Sequence, residues 1–145
     1  GCSAPQYAFK IKDVAQMLIN LIKSYNLNFQ FSNEVIKLID SILQNPKYIG
    51  GTDSFDTRLM SLTGKKIFCK GGAEGVFLFI DFSKKIVGVI KVVDGNERPI
   101  PYVVHSLFRR YKILNQLELR KINYYYKSVL SNHANISIGS VKTNI

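Results

Sequence analysis

The residues best suited to chemistry in this chain are a lysine and the glycines that follow it. Residues 70–75 read Lys-Gly-Gly-Ala-Glu-Gly and lie between two mostly apolar segments, residues 66–69 and 76–80. β-Branched and aromatic residues dominate both segments, which predicts two strands. Because glycine packs no side chain and loses much backbone entropy on folding, this run of glycines indicates a backbone that approaches another group closely.

Lys70 is open to two interpretations from the sequence. If it is held against a glycine-rich backbone at a strand edge, its ammonium group can bind an anion or exchange a proton. Alternatively, the glycines form a bulge and the lysine is simply solvated, as we expect for Lys84 and Lys85 in the next turn. Short motifs often match by chance, so this segment alone does not separate the two interpretations.

The segments around this lysine predict a three-stranded antiparallel sheet. The first strand ends at Cys69, the second covers residues 76–81, and residues 81–85 form a hairpin turn to a third strand over residues 86–93. The strands are apolar throughout, which is typical of a sheet covered by helices and not open to water. A separate strand is predicted near the end of the chain, over residues 136–143.

The helices that cover this sheet follow from apolar spacing and from end signals. Apolar residues at helical spacing, polar N-cap residues and prolines in a first turn are the signals used. They predict a helix over residues 8–25, one from Ser32 or Asn33 to Asn45, one that starts at Pro99 or Pro101, and one over residues 116–130.

Residues 50–60 precede the first strand and read Gly-Gly-Thr-Asp-Ser-Phe-Asp-Thr-Arg-Leu-Met. Asp53 or Ser54 can cap a short helix that carries Asp56 and Arg58. One interpretation is a helix cap plus a surface ion pair, which contributes little to stability. The other interpretation is a loop that shapes a site. The sequence alone favours the first.

The composition limits the class of protein. Hydrophobic residues make up 46% of the 145 residues and charged residues 21%, which indicates a globular chain of about one domain. The formal net charge of +10 and the isoelectric point of about 9.7 permit nucleic-acid or acidic-membrane binding. The basic residues are spread along the chain, so we interpret them as a solvated surface. No apolar run is long enough to span a bilayer.

The cysteines and histidines form no disulfide or zinc pattern by spacing. Two cysteines without a disulfide framework fit a reducing, cytoplasmic setting. Cys69 lies in an apolar strand, where a thiol is usually inert core. Cys2 lies in a loop near Pro5 and is the better candidate for reactivity or metal ligation.

Five blocks occur along the chain in an order that resembles one family. They are residues 1–5, Gly-Cys-Ser-Ala-Pro; residues 50–60; residues 70–75; residues 91–96, Lys-Val-Val-Asp-Gly-Asn; and residues 138–142, Ile-Gly-Ser-Val-Lys. Together they resemble the asparaginase II family of bacteria, the rhizobial-type L-asparaginases. The resemblance spans nearly all of this chain but only the C-terminal part of a full family member.

The resemblance implies an α+β fold similar to that of β-lactamases and glutaminases, in which helices pack on an antiparallel sheet. The fold is expected to be incomplete in this chain. Residues 1–145 would be one portion of a single domain. The implied activity is hydrolysis of the side-chain amide of L-asparagine to L-aspartate and ammonia, in the cytoplasm. A complete enzyme of this kind is expected to be a homo-oligomer that acts on a small molecule and binds neither membrane nor nucleic acid.

Carried over residue by residue, the resemblance makes Lys70 the catalytic lysine of the strand motif. Gly71, Gly72 and Ala73 would bind substrate along the strand edge, with the Ala73 N–H donating to the oxyanion. Cys2 matches the second cysteine of a zinc site in the complete enzyme, and no metal is expected for this chain alone. The serine nucleophile and its Ser-x-x-Lys lysine belong upstream, so the isolated chain is predicted to be inactive.

Two other functions are alternatives. The chain can be a catalytically inactive fragment or subunit that pairs with an upstream chain carrying Ser-x-x-Lys. It can also be a basic nucleic-acid-binding module, whose binding would depend strongly on salt. The scattered positive charge argues against that second alternative.

Overall fold

The computed structural model describes residues 3–5, 7–26, 31–125 and 129–145, which form a mixed α+β structure. Its helices are α1 (Ile11–Asn26), α2 (Ser32–Gln44), α3 (Lys47–Gly50), α4 (Phe55–Leu62), α5 (Ile100–Arg110) and α6 (Gln116–Tyr125). Its strands are β1 (Ile67–Gly72), β2 (Val76–Asp81), β3 (Ile86–Lys91), β4 (Val129–Ser131) and β5 (Ser137–Ser140). The predicted α+β class with antiparallel strands is confirmed. Within the described ranges, no helix has the length and apolarity that crossing a membrane requires.

The main sheet has the order β1-β2-β3 and is antiparallel throughout, as predicted. β1 is longer than expected, because it continues past Cys69 to Gly72 with every residue paired to β2. Lys70 therefore lies within a strand and not in the turn after it. β3, in contrast, ends at Lys91 and falls short of residue 93.

Aromatic side chains from α4 and α5 pack on one face of this sheet. Phe55 of α4 packs on Phe77 with ring centroids 5.2 Å apart, and Phe108 of α5 meets Phe79 edge to face at 4.9 Å. Such edge-to-face pairs are favourable beyond the area that they bury. Gly88 lies opposite Phe79 in the register, and a Cβ at that position would come within 2.1 Å of the ring. The buried aromatic contact thus requires a glycine in β3.

α1 and α2 pack against each other, and α1 also contacts β3. At the end of α1 the ring of Tyr25 packs on Phe82 at 4.2 Å, and its hydroxyl donates to Asp40 Oδ1 at 2.8 Å. Burial, followed by that hydrogen bond, raises the pKa of Tyr25. Ser32 or Asn33 was expected as the N-cap of α2, but Ser32 is the first residue of the helix itself. The Ser32 hydroxyl donates to the carbonyl oxygen of Ser24. That hydrogen bond ties α2 to α1.

The C-terminal part differs most from the sequence-based expectation. A continuous helix over residues 116–130 is wrong, because α6 ends at Tyr125 and the last residues of that range belong to β4. β4 pairs with β5 as a separate two-stranded sheet. Asn132 stabilises the turn between them, since its side-chain oxygen accepts from the amides of Ala134 and Ile136, each at 3.0 Å. This local turn chemistry outweighs the apolar spacing that suggested a helix.

The hairpin turn after β2 contains one lysine that is not simply solvated. Lys84 Nζ donates to the carbonyl oxygens of Lys112 and Ile113, the second at 2.8 Å. These carbonyls follow the C-terminal end of α5, where backbone dipoles favour a cation. Lys84 is exposed, as expected, and is in addition tied to the residues after α5, whereas Lys85 is exposed without a hydrogen bond of this kind among the described residues.

Candidate active site

Lys70 lies at an edge of the main sheet as the described residues form it. Its side chain is 43% exposed, and its Nζ donates to Asp56 Oδ2 at 3.2 Å and to the carbonyl oxygen of Gly71. A carboxylate and a backbone carbonyl thus hold the ammonium group over the strand edge. A glycine bulge with a simply solvated lysine does not fit this geometry.

Asp56 is a buried carboxylate, with its side chain only 8% exposed. Besides Lys70, its Oδ2 accepts from the backbone N–H of Gly71 at 2.9 Å. A buried carboxylate is costly in free energy unless it is paired and hydrogen-bonded. Here one cation and one amide fulfil both conditions. Asp56 therefore connects α4 to the edge of β1.

The position of Asp56 depends on how α4 begins. Ser54 caps the helix, as predicted, because its Oγ accepts from the backbone N–H of Thr57 at 3.2 Å. The Thr57 hydroxyl in turn lies 2.7 Å from the carbonyl oxygen of Gly51, to which it donates. A Cβ on Gly50 would lie 2.4 Å from Ser54 Oγ, so glycine allows the loop to fold closely against the cap. The first turn of α4 is fixed in this way and carries Asp56 to β1.

The surface ion pair expected in this segment also forms, between Arg58 and Asp53. Arg58 Nη2 lies 3.0 Å from Asp53 Oδ1, and the Asp53 side chain is 83% exposed. Asp56 instead points inward. The two interpretations of residues 50–60 therefore apply to different residues, and the preference for a surface pair alone is wrong for Asp56.

Cys69 lies beside the same contact and is buried, as predicted. Its Sγ donates to the backbone carbonyl oxygen of Asp56 at 3.6 Å. Burial, and after it the negative charge of Asp56, raise the pKa of the Cys69 thiol well above its ordinary value, although Lys70 acts in the other direction. The thiol is therefore protonated and unreactive at neutral pH.

The three glycines of residues 70–75 differ in whether the structure requires glycine at their position. Gly75 has a φ of +67°, and a Cβ there would lie 2.7 Å from Val92 Cβ, so only glycine fits without strain. A Cβ on Gly71 or Gly72 would meet its nearest neighbour at 3.5 or 3.4 Å, which is ordinary van der Waals contact. Packing does not require glycine at these two positions. At Gly71 the missing side chain leaves space for the Asp56 carboxylate, which accepts from its N–H.

An open cleft of about 420 Å³ adjoins the contact between α4 and β1. Asp56 and Gly71 form part of its wall, whereas Lys70 is bound to Asp56 and is not itself in the lining. Further polar groups come from residues before α4 and before α5. They are Asp53, Ser54, Glu97 and Arg98. The cleft therefore presents carboxylates and a guanidinium group next to the held lysine.

The sequence of this chain was compared with models of known protein families. A family model described as L-asparaginase II matches residues 1–143. The chain belongs to the L-asparaginase II family. Membership indicates the general class of function, which is asparaginase-type, and a small molecule as the class of substrate. A search of curated proteins gives no match.

Cys2 is the zinc ligand that the L-asparaginase II resemblance implies, and it lies outside the described residues. Within the described ranges, no three His, Cys, Asp or Glu side chains converge where they could hold a metal ion. Cys69 suits a metal site poorly, because its thiol is protonated and donates to Asp56. Zinc ligation by Cys2 stays a prediction.

Gly71, Gly72 and Ala73 are the residues expected to bind substrate in an L-asparaginase II site. The Gly71 N–H already donates to Asp56, so it is not open to a substrate oxygen in this arrangement. Ala73 is exposed in the turn between β1 and β2. The substrate and oxyanion roles of all three residues stay predictions.

Asp56 is the residue that sequence reasoning missed. The sequence placed it on a capped helix but gave no sign that it faces inward or meets Lys70, 14 residues further along. The available signal was its position in the first turn, directly after the Ser54 cap. That position favours a carboxylate near the helix N-terminus without naming its partner.

Proposed function

We propose that Lys70 and Asp56 form the proton-transfer part of an asparaginase-type active site that hydrolyses the side-chain amide of L-asparagine. The proposal rests on one contact: an ammonium group held by a buried carboxylate at a bare strand edge, beside an open cleft. Membership of the L-asparaginase II family gives the reaction class.

The nucleophile in this proposal is the serine of a Ser-x-x-Lys segment. The 145 residues contain no such segment, so another chain or segment must supply it. A serine hydroxyl is a weak nucleophile and needs an adjacent base. Its oxygen attacks the side-chain carbonyl carbon while its proton passes to a lysine amine. The amide nitrogen then accepts a proton and leaves as ammonia, and water hydrolyses the resulting ester to L-aspartate.

Lys70 begins this sequence as a proton donor, because its side chain forms an ion pair with Asp56. We assign its proton to the leaving nitrogen. Lysine has a long, flexible side chain, and its two acceptors, Asp56 Oδ2 and the Gly71 carbonyl oxygen, restrict where the ammonium group can lie. Asp56 is thus a positioning residue for Lys70.

The cleft complements a free amino acid, which carries one positive and one negative group on its α-carbon. Arg98 suits the α-carboxylate, since a guanidinium group binds carboxylates in a bidentate way. Asp53 and Glu97 suit the α-ammonium group. The exposed Ala73 backbone N–H remains available as a donor to the oxyanion.

Ammonia release from L-asparagine tests this function. The purified chain alone should release none, and co-expression with a Ser-x-x-Lys segment from another L-asparaginase II family member should restore activity. In this complemented enzyme, Lys70→Met should lower kcat by roughly 10²–10⁴-fold, the usual contribution of acid–base catalysis. Lys85→Met is the matched control, because Lys85 is exposed in a turn.

Three results would contradict the proposal. One is ammonia release by the chain alone that Lys70→Met abolishes, because that would place the nucleophile within these residues. Another is an equal loss for Lys70→Met and Lys85→Met. The last is a raised KM with an unchanged kcat in Lys70→Met, which would mean that the lysine only attracts substrate.

A further inference from the structure

A second cavity, of about 250 Å³, lies between α5, α6 and the C-terminal segment. Pro101 and Tyr102 line both this cavity and the cleft, so the two are neighbours on opposite sides of the start of α5. Side chains with hydrogen-bond donors dominate its polar lining. They are His105, Ser106, Arg109 and Thr143, together with Asn123. None of the lining residues is acidic.

Among the described residues, no acidic side chain lines this cavity to balance its positive charge. His105 and Arg109 are four residues apart on α5, which places them on the same face of the helix. Arg109 forms no ion pair with any described residue. Burial, and after it the charge of Arg109, lower the pKa of His105. A guanidinium group and an imidazole therefore share one concave site without a carboxylate between them.

Hydroxyl groups form another wall of the same cavity. Ser106 is buried on α5, and its Oγ shares a hydrogen bond with Thr143 Oγ1 in the C-terminal segment. The contact holds that segment against the helix and places two hydroxyl groups beside the two basic side chains. Guanidinium, imidazole, hydroxyl and amide donors around one cavity are the groups that bind oxyanions.

We propose that this cavity binds a small oxyanion, either a phosphate or sulfate group or a carboxylate. Arg109 supplies the charge and a bidentate donor pair, and His105 adds a donor next to it. Asn123 of α6 contributes amide donors from the facing wall. The site is separate from the proposed proton-transfer contact, since neither Lys70 nor Asp56 lines it.

Anion binding should strengthen as the pH falls. A bound anion favours the protonated imidazole of His105, so affinity is full below the pKa of His105 and declines above it. The charged or titratable groups that line the cavity together with His105 are Tyr102 and Arg109, both on α5. The lining residues of α6, Ile122 and Asn123, do not titrate. Sulfate is the best probe, because its own charge is constant between about pH 5.5 and 8.

Isothermal titration of the purified chain with sodium sulfate, at constant ionic strength with chloride, tests the proposal. Saturable binding of one sulfate ion is expected. Arg109→Gln should weaken it by at least about tenfold, the usual effect of losing a charged hydrogen bond. His105→Gln should remove most of its pH dependence. Arg110→Gln is the matched control, because Arg110 is exposed like Arg109 but does not line the cavity.

Equal losses in Arg109→Gln and Arg110→Gln, or binding that does not saturate, would overturn the site in favour of general attraction to a basic surface. Phosphate and L-aspartate as competing ligands separate the two sources of an oxyanion. Displacement of sulfate by either ligand supports the site and names its class, and displacement by neither contradicts it. Lys70→Met should leave sulfate affinity unchanged, so this test does not depend on the proposed hydrolysis.

Discussion

Asp81 and Asp56 are buried carboxylates at opposite ends of the main sheet, and they are hydrogen-bonded in different ways. Asp81, at the end of β2, is 2% exposed, and its hydrogen bonds to described residues stay within its own turn. Its Oδ1 accepts from the N–H groups of Ser83 and Lys84, each at 3.0 Å, and from the Ser83 hydroxyl at 2.6 Å. Asp56, which is 6% exposed as a whole residue, accepts instead from Lys70 and Gly71, which lie 14 and 15 positions further along the chain.

The difference is the basis for proposing a chemical role for Asp56 and not for Asp81. The partners of Asp81 are two backbone amides and a hydroxyl of its own turn, so the group stabilises the hairpin and has no charged partner to release. Asp56 itself lines an open cleft and holds the half-exposed ammonium group of Lys70. Burial alone therefore does not distinguish the two carboxylates, whereas a cationic partner does, and that partner is the reason why we propose a role for Asp56.

Activity of the complemented enzyme should separate the two aspartates most strongly. Asp56→Asn keeps an acceptor for the Gly71 N–H but removes the charge that holds Lys70. We expect kcat to fall by roughly 10–100-fold, which corresponds to a charged hydrogen bond of about 1.5–3 kcal/mol. Asp81→Asn should leave kcat unchanged in the molecules that fold. Steady-state ammonia release measures both, and similar kcat values for the two variants would erase the functional difference.

The stability of the isolated chain should reverse that order. Asp81→Ala removes three hydrogen bonds in a buried turn, so we expect the free energy of unfolding to fall by about 2–3 kcal/mol. Asp56→Asn should cost less, because the amide side chain still accepts from Gly71. Urea unfolding followed by circular dichroism gives both values, with the exposed Asp13 changed to Ala as control. A smaller loss in Asp81→Ala than in Asp56→Asn would contradict the structural role of Asp81.

The glycines near Asp56 should respond differently to an added methyl group. Gly75→Ala should lower the free energy of unfolding by about 1–2 kcal/mol, because its left-handed backbone conformation disfavours a Cβ. Gly71→Ala should cost less than about 0.5 kcal/mol, since its Cβ would only touch Asp56. Denaturant unfolding compares the two. A large loss in Gly71→Ala would mean that the strand edge tolerates no side chain even without a ligand.

The lysines of the Asp81 turn should give the smallest effect. Lys84→Met removes the donor to the carbonyl oxygens after α5 and should lower the free energy of unfolding by about 0.5–1 kcal/mol. Lys85→Met should change it by less than about 0.5 kcal/mol, because the side chain is exposed. Thermal unfolding of both variants measures the difference, and equal melting temperatures would show that the Lys84 contact does not contribute.

Local signals explain what could be predicted from the sequence. β-Branched and aromatic residues predicted the three strands of the main sheet, and Ser54 was among the predicted caps of α4, because both depend on near neighbours in the chain. The glycines drew attention to the motif around Lys70, whose role in a site stays a prediction. The end of α6 was missed because apolar spacing favours a continued helix, whereas the turn at Asn132 favours a hairpin. Apolar spacing contains no information about such a turn.

Contacts between distant segments explain the rest. Asp56 and Lys70 meet only because the loop of Gly50 and Gly51 folds onto the start of α4 and β1 extends two residues past Lys70. Lys84 reaches the end of α5 across 29 residues. No periodicity or composition within either segment contains that information, so tertiary packing decides which polar side chains turn inward.

The bond between Asp56 and the Gly71 N–H has a further consequence for how the molecule behaves in solution. An outer strand offers unpaired amides to any other extended chain, and proteins that leave them bare tend to aggregate. At the end of β1, α4 places a carboxylate on such an amide and brings a cation over the neighbouring carbonyl oxygen. Asp56 and Lys70 therefore shield the outer strand from self-association, so an Asp56→Ala protein should form larger species as its concentration rises.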